Sequence, residues 1–488
     1  MKKRLLLLIC CMLFAFGSTI VFAGCNGGDT GICRTRPQDG FDPDQDLDIH
    51  NTIGTAIFDD FTCLERSAHY WQVGYRKWGV GLNGGVIPNN ISVTDDGILV
   101  MQANGDNYVG PFRSAPGSNV TTDGTRTGSK IVSNWHTGPG RYEVRMKLLP
   151  RFGATTAFWT FWFGDIEDLD GVMRRNANLE IDIELGVRND FTRFQFVSYV
   201  YETVQSSIRD YTPVDANGNR YVLNDGQWHT FKWEWRTNPW RIDCYVNDVW
   251  VGSIDATIPF GDGRLTLGNW FPQDWAGAPN FETDYTFVDW VRFTPFLNNP
   301  FVEIPPSMHH TVTHPHMYRP FPTTFREGGR PIANLISNAR FDGRAEAWDR
   351  HGTNATIVNG IGIDGSPAMR VMPGSMASQE ITGMREGFEV DFNGKVKLPA
   401  GARGTIEFDF MPLEHNRLGT HVIELSENTP GFVADEFFDI GALFTAPPGT
   451  RRVIINLLCI EGEIIFDDLF MNTLNRINYG PGSNPISI

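Results

Sequence analysis

Glu180-Ile181-Asp182-Ile183-Glu184 alternates three carboxylates strictly with two isoleucines. That period is the period of an extended strand, in which successive side chains point to opposite faces. Glu180, Asp182 and Glu184 therefore share one face, and Ile181 and Ile183 share the other. Like charges lined up on a sheet face destabilise one another and drive their pKa values apart. A strand that needed only an apolar inner face has no use for three aligned acids. Acid/base chemistry does: it needs one carboxylate kept ionised and another kept protonated near neutral pH.

The spacing can be set against glycoside hydrolysis, where retention needs two carboxyl groups about 5–5.5 Å apart and inversion about 6.5–9.5 Å. The Cα atoms of Glu180 and Glu184 are separated by roughly 13 Å along a strand. Each glutamate can lean inward by roughly 3–4 Å, given bonds of about 1.5 Å. The remaining gap of roughly 6 Å shortens toward the retaining value if the sheet is concave.

The neighbouring segments read as strands too. Gly140 to Lys147 alternates, with Tyr142, Val144 and Met146 on one side and Glu143, Arg145 and Lys147 on the other. Ala157 to Phe163 is apolar on both faces and predicts a central strand; Trp159, Phe161 and Phe163 share a face that suits either core or cleft. Phe194–Tyr201, Trp228–Trp235, Leu265–Phe271 and Phe287–Phe293 continue the series, and Arg241–Val251 predicts a hairpin turning at Asn247-Asp248. Gly79, Gly81, Gly84 and Gly85 read as a surface loop, without the Lys-Ser/Thr end of a phosphate loop. Short strands at regular spacing, in a chain with 51 Gly, 29 Pro and 12% aromatics, indicate an all-β sandwich.

These segments resemble glycoside hydrolase family 16. Glu180-Ile-Asp-Ile-Glu184 is similar to its active-site signature, and Gly140–Lys147, Ala157-Phe-Trp159 and Val288-Asp-Trp-Val-Arg292 resemble its other recurring segments, in order. The resemblance implies a concanavalin-like β-jelly-roll sandwich with a glycan cleft on the concave sheet and retaining cleavage of internal β-glycosidic bonds. It assigns Glu180 as nucleophile, Glu184 as general acid/base and Asp182 as the residue that tunes their protonation; no cofactor is implied for catalysis. One residue between Asp182 and Glu184, rather than two, resembles lichenases and xyloglucan-active members and favours a β-1,3-1,4- or β-1,4-glucan. The same comparison places Glu143, Arg145, Trp159, Phe161, Gln195, Tyr199, Asn269, Trp270 and Trp275 at the cleft. Asp289 matches a structural calcium ligand of some members, and equally a strand-end Asp held by backbone donors. Ile166–Asp170 and Val172–Asn176 depart from the lichenase pattern and are expected to edit the cleft.

Around this catalytic region, 51–297, the chain divides further. Residues 1–23 read as an export signal: a basic start, an apolar run from Leu5 to Phe16 and a small-residue site at Val21-Phe22-Ala23. Phe22-Ala-Gly-Cys25 resembles a bacterial lipoprotein box with Cys25 lipidated, so a cell-surface or outer-membrane lipoprotein, or a secreted or periplasmic protein, is expected; any membrane attachment is through that lipid. Residues 24–50 form a spacer. Cys33 and Cys63 are available to pair, while Cys244 and Cys459 sit in apolar strand-like runs as buried thiols. Residues 298–330, with His309, His310, His314 and His316, read as a Pro-rich linker rather than a metal site. Residues 331–475 resemble a galactose-binding-like jelly roll, a second, smaller β-sandwich, and 476–488 a tail. A net charge of −16 excludes nucleic acid as a partner and leaves a polysaccharide indifferent. A monomer is expected.

Overall fold

The computed structural model describes residues 56–77, 82–113, 126–201, 205–215, 217–272, 276–296, 317–342, 347–412 and 416–474. The leader, Cys25, Cys33, Trp275, the four clustered histidines and the C-terminal tail lie outside them. Strands dominate the described residues, and the one α-helix among them is Leu64–Tyr70.

The sheet that carries the acids is built, in chain order, from β1 (Trp71–Gly74), β2 (Arg126–Thr137), β3 (Thr155–Glu167), β4 (Met173–Leu185), β5 (Phe194–Tyr201), β6 (Gln205–Tyr211), β7 (Gly263–Trp270) and β8 (Tyr318–Pro320). Across the sheet they run β6-β5-β4-β3-β7-β2-β1-β8, every pair antiparallel. A second sheet is made chiefly by Leu99–Asn104, Gly140–Lys147, His229–Thr237, Trp240–Val246, Val249–Ile254 and Thr283–Pro295. The two are joined where Asn104 pairs with Thr127, so one ladder folds over on itself as a jelly-roll sandwich.

Period-2 alternation explains the packing. Ile181, Ile183 and Leu185 of β4 are fully buried, with Phe158, Phe196, Leu265, Leu267 and Ile131 from neighbouring strands. Tyr142, Val144, Met146, Phe231, Trp233 and Val291 meet them from the second sheet. Each such side chain contributes about 1.5–3 kcal/mol on burial. β3 is central, between β4 and β7, as its two-sided apolarity predicts. The hairpin at Asn247-Asp248 forms as read, both residues at positive φ (49° and 64°), as a tight turn between right-twisted strands requires. Cys244 and Cys459 are buried free thiols, and Cys63 is disulfide-bonded.

Two readings change. Gly84 and Gly85 are not in a surface loop: they lie in the buried strand Asn83–Val86, parallel to β2. A Gly-rich composition marks conformational freedom, not exposure. The 298–330 stretch is not all linker either. β8 zips onto β1, with Tyr318 opposite Gly74 and Pro320 opposite Gln72. Phe321 enters the core, 2% exposed, stacked against Phe61 at 6.4 Å, and the Arg326 N–H donates to the Val93 carbonyl at 2.6 Å. Proline is tolerated on an edge strand whose missing N–H faces outward, so composition alone does not distinguish this strand from a linker.

The second unit is a smaller sandwich of two five-stranded antiparallel sheets. Its strands run from Asp349–His351 to Ile464–Thr473, around a core that includes Phe392, Phe408, Leu457 and Phe466. Trp348 is core, its indole N–H donating to the Asn338 carbonyl at 3.2 Å. The units meet through polar contacts. Arg151, held by Asp284 of its own unit at 2.7 Å, donates from Nη1 to the Leu335 carbonyl at 3.4 Å; Glu282 accepts from the Asn338 N–H at 2.6 Å; Arg385 donates to Asn224 at 2.8 Å.

Candidate active site

The register of the first sheet fixes what surrounds the acids. β4 pairs without a bulge from Glu180 to Leu185 on both sides, so the alternation of the signature survives intact; the register shifts only beyond it, between Tyr199 and Tyr201. Glu180 lies between Tyr199 of β5 and Phe161 of β3; Asp182 between Val197 and Trp159; Glu184 between Gln195 and Ala157. The outward side chains line a cleft of about 650 Å³ together with Arg76, Lys130, Asn178, Arg188, Ile208 and Trp270. Of the residues placed at the cleft by resemblance, the structure thus gathers Trp159, Phe161, Gln195, Tyr199 and Trp270 around Glu180, Asp182 and Glu184.

Others are elsewhere. Glu143 and Arg145 belong to Gly140–Lys147 in the second sheet. Glu143 is buried and ion-paired to Arg292 at 3.5 Å, and Arg145 donates to Asp289 at 2.6 Å. Both side chains lie on the far face of the sandwich from the acids, since Tyr142, Val144 and Met146 take the inner face. Asn269 precedes Trp270 on β7 and so faces the core. It accepts from Thr156 and Thr286 at 2.8 and 3.0 Å and donates to the Met101 carbonyl at 3.0 Å, a buried structural hub. Asp289, matched by resemblance to a calcium ligand, is buried in the second sheet, where its Oδ2 accepts from Arg145 at 2.6 Å.

Two cleft residues carry a signal in sequence that the signature alone does not use. Extending its period two residues back from Glu180 reaches Asn178, whose amide donates to Glu180 Oε2 at 2.9 Å. On β2, Ile131 faces the core, so Lys130 faces the cleft, its ammonium 5.4 Å from the Trp159 ring centroid. The departures at 166–176 form the outer end of the β3–β4 hairpin. There Asp168 accepts from the Asp170 and Val172 N–H groups and from Arg174, and Asp165 from the Asn176 N–H. Those acids therefore cap a turn and pair with arginines.

Burial sets the protonation of the triad. Glu184 is raised to about 8, first by desolvation and then by the charge of Glu180. Glu180 is raised to about 7 by desolvation, opposed by hydrogen bonds from Asn178 and Asp182 and by the Lys130 charge. Asp182, 6% exposed, lies well above the ordinary carboxylate range: it is desolvated and flanked by both glutamates. Near neutral pH, Asp182 therefore keeps its proton and donates it in a hydrogen bond to Glu180. Glu180 is the first to ionise and Glu184 holds its proton at the other end. One strand face thus carries a carboxylate that ionises early beside one that keeps its proton.

The sequence profile of the Glycosyl hydrolases family 16 matches residues 88–290. A Beta-glucanase of Acetivibrio thermocellus is 32% identical over 138 residues, covering 27% of this chain and 34% of that protein. The match thus spans about a third of that relative's length. A Beta-glucanase of Bacillus subtilis (strain 168) is 25% identical over 253 residues, 49% of this chain and 87% of that protein. Among solved structures, a Bacillus licheniformis beta-glucanase covers 49% of this chain and 98% of its own, with 22% identity and a TM-score of 0.38.

Proposed function

We propose, from the premise that residues 88–290 form a family 16 glycosyl hydrolase unit, that the chain cleaves internal β-glycosidic bonds of a β-glucan with retention. The observation that carries this reading is the unbulged strand that sets Glu180, hydrogen-bonded by Asn178 and Asp182, and protonated Glu184 on the floor of one aromatic-walled cleft. The Glu180 carboxylate attacks the anomeric carbon while Glu184 gives its proton to the leaving oxygen, and the glycosidic C–O bond breaks. Glu184, now ionised, takes a proton from water. The water oxygen attacks the same carbon, and the ester to Glu180 is released. Asp182 returns a hydrogen bond to each free state of Glu180. Trp159, Phe161, Tyr199 and Trp270 offer ring faces, and Gln195 an amide, to the sugar chain. The direct register between Asp182 and Glu184 favours a β-1,3-1,4-glucan backbone.

The rest of the chain fits export: the 1–23 signal, Cys25 as the lipidated residue, and the second sandwich as a glycan-binding module on the same polymer. The deciding measurement is release of reducing sugar from barley β-glucan, lichenan, laminarin, xyloglucan and agarose, with Glu180→Gln protein as control. Release from the mixed-linkage glucans, lost in the control, is the expected result. Release equal in the control, or confined to agarose, overturns the reading.

A further inference from the structure

The second sandwich is blunted along one side and open along the other. On the blunted side its sheets end in Asp349–His351 and Ala355–Val358, strands of three and four residues. On the open side they end in Gly419–Leu425 and Phe438–Thr445, of seven and eight residues. Among the described residues each of these pairs on one side only, with Arg403–Met411 and Glu389–Lys397, and neither pairing shifts register. Neither strand contains Pro, Lys or Arg. Each has one acid, Glu424 and Asp439, and Asp439 is paired with Lys395 of its neighbour. Edges are ordinarily protected by shortness, proline, charge or a bulge, because a straight row of unpaired N–H and C=O groups is a template for another strand. The first unit shows that protection: β8 has three residues and ends in Pro320, and β6 carries Arg209 and Asp210.

The mouth between the two long edges is apolar. His421 and Ile423 from one strand and Ala442 and Phe444 from the other point toward the core yet stay half-buried. The His421 ring lies on Phe444, centroids 4.3 Å apart, so residues 421–422 and 443–444 stand at one level across the mouth. On the outer faces at that level, Val422 is 43% and Leu443 69% exposed.

We propose that these two edges pair with those of a second copy of the chain, across one two-fold axis that sets Val422 opposite Val422 and Leu443 opposite Leu443, in place of the monomer expected from sequence. Antiparallel pairing about Val422 puts Thr420 of one copy opposite Glu424 of the other, and His421 opposite Ile423. Pairing about Leu443 puts Ala442 opposite Phe444 and Gly441 opposite Thr445. Neither register sets like charges directly opposite, an arrangement that would oppose association. Both sheets then run on into the partner, the free backbone groups are paired, and the half-buried rings are covered. A single peptide strand would complete one edge and leave the other open, whereas a two-fold copy completes both at once. The inference is independent of the family 16 reading, since both strands belong to the second unit. It places two clefts on one particle, so a polymer held by one is presented to the other at high effective concentration.

The test is oxidative cross-linking and sedimentation of the full chain. Val422→Cys and Leu443→Cys are each expected to give a covalent dimer on mild oxidation, since directly opposed residues have Cα atoms about 4.5–5.5 Å apart, within disulfide reach. Thr420→Cys, whose two copies would stand roughly 13 Å apart along the strands, is expected to cross-link no more than the unsubstituted protein. In sedimentation the unsubstituted chain should pass from one copy to two as concentration rises. Val422→Lys/Leu443→Lys should weaken that association about tenfold or more, with the melting temperature of the second unit kept because both side chains are exposed. A single-copy particle at every concentration overturns the inference. So does association that survives the lysines, or cross-linking equal in all three cysteine variants. Pairing that appears only once residues 476–488 are removed would mean that the tail already fills an edge, and overturns it too.

Discussion

At the residue scale, the protonation order of the triad makes the predictions. The kcat/KM profile should be a narrow bell. Its acid limb reports loss of the Glu180 carboxylate as pH falls through about 7, and its basic limb loss of the Glu184 proton as pH rises through about 8. Both limbs belong to the coupled set. Asn178→Ala removes a hydrogen bond to the ionised Glu180, worth about 1.5–3 kcal/mol. The acid limb should then move up by about one to two pH units, with a smaller change at the basic limb; an unmoved acid limb would refute the positioning role of Asn178. Stability carries the opposite sign. Glu184 has its pKa raised from 4.5 to about 8 by folding, so its contribution is present below 4.5 and is lost as pH rises to 8. Glu184→Gln does not titrate. Its melting temperature should match wild type near pH 4 and exceed it by several degrees at pH 8, by calorimetry. The signature made these acids legible because a period of two leaves no freedom in which face they take. Glu143 and Arg145 were misplaced for the same reason in reverse: alternation tells which residues share a face, not which of two sheets the strand joins.

At the element scale, what sequence concealed is long-range pairing. β3, β4 and the Asn247-Asp248 hairpin follow from patterns within a few residues, and they form as read. β8 does not, because its partner β1 lies far back in the chain and its own composition is that of a spacer. The expected consequence is measurable. Phe321→Ala should destabilise the first unit by about 3–5 kcal/mol in denaturant unfolding, the cost of emptying a fully buried phenylalanine site. A loss under about 1 kcal/mol, the range of a surface substitution, would mean that Phe321 is not a core residue.

At the scale of the whole molecule, the two sandwiches are joined by polar groups. Arg151 and Asp284, both of the first unit, are 2% and 3% exposed beside that junction, which Arg151 crosses to reach the Leu335 carbonyl. Arg151→Ala leaves a buried carboxylate without its cation, a loss of about 3–5 kcal/mol. Both partners belong to the first unit, so in a calorimetric scan the variant should melt that unit several degrees earlier than wild type. An unmoved first-unit transition would mean that the ion pair does not stabilise that unit.

The strand β8 gives the connection between the units an unusual topology. Residue 296 ends the 283–295 strand region of the first unit, and residue 317 re-enters that same unit, with the Tyr75 N–H donating to the Met317 carbonyl at 2.7 Å. The span 297–316 therefore leaves and returns to one body, and its length does not set how far the second sandwich can stand off. A protease that cuts anywhere in that span severs the covalent chain without releasing anything. The fragment beginning there keeps its grip through β8, Phe321 and Arg326, and the nicked protein should travel as one particle until denatured.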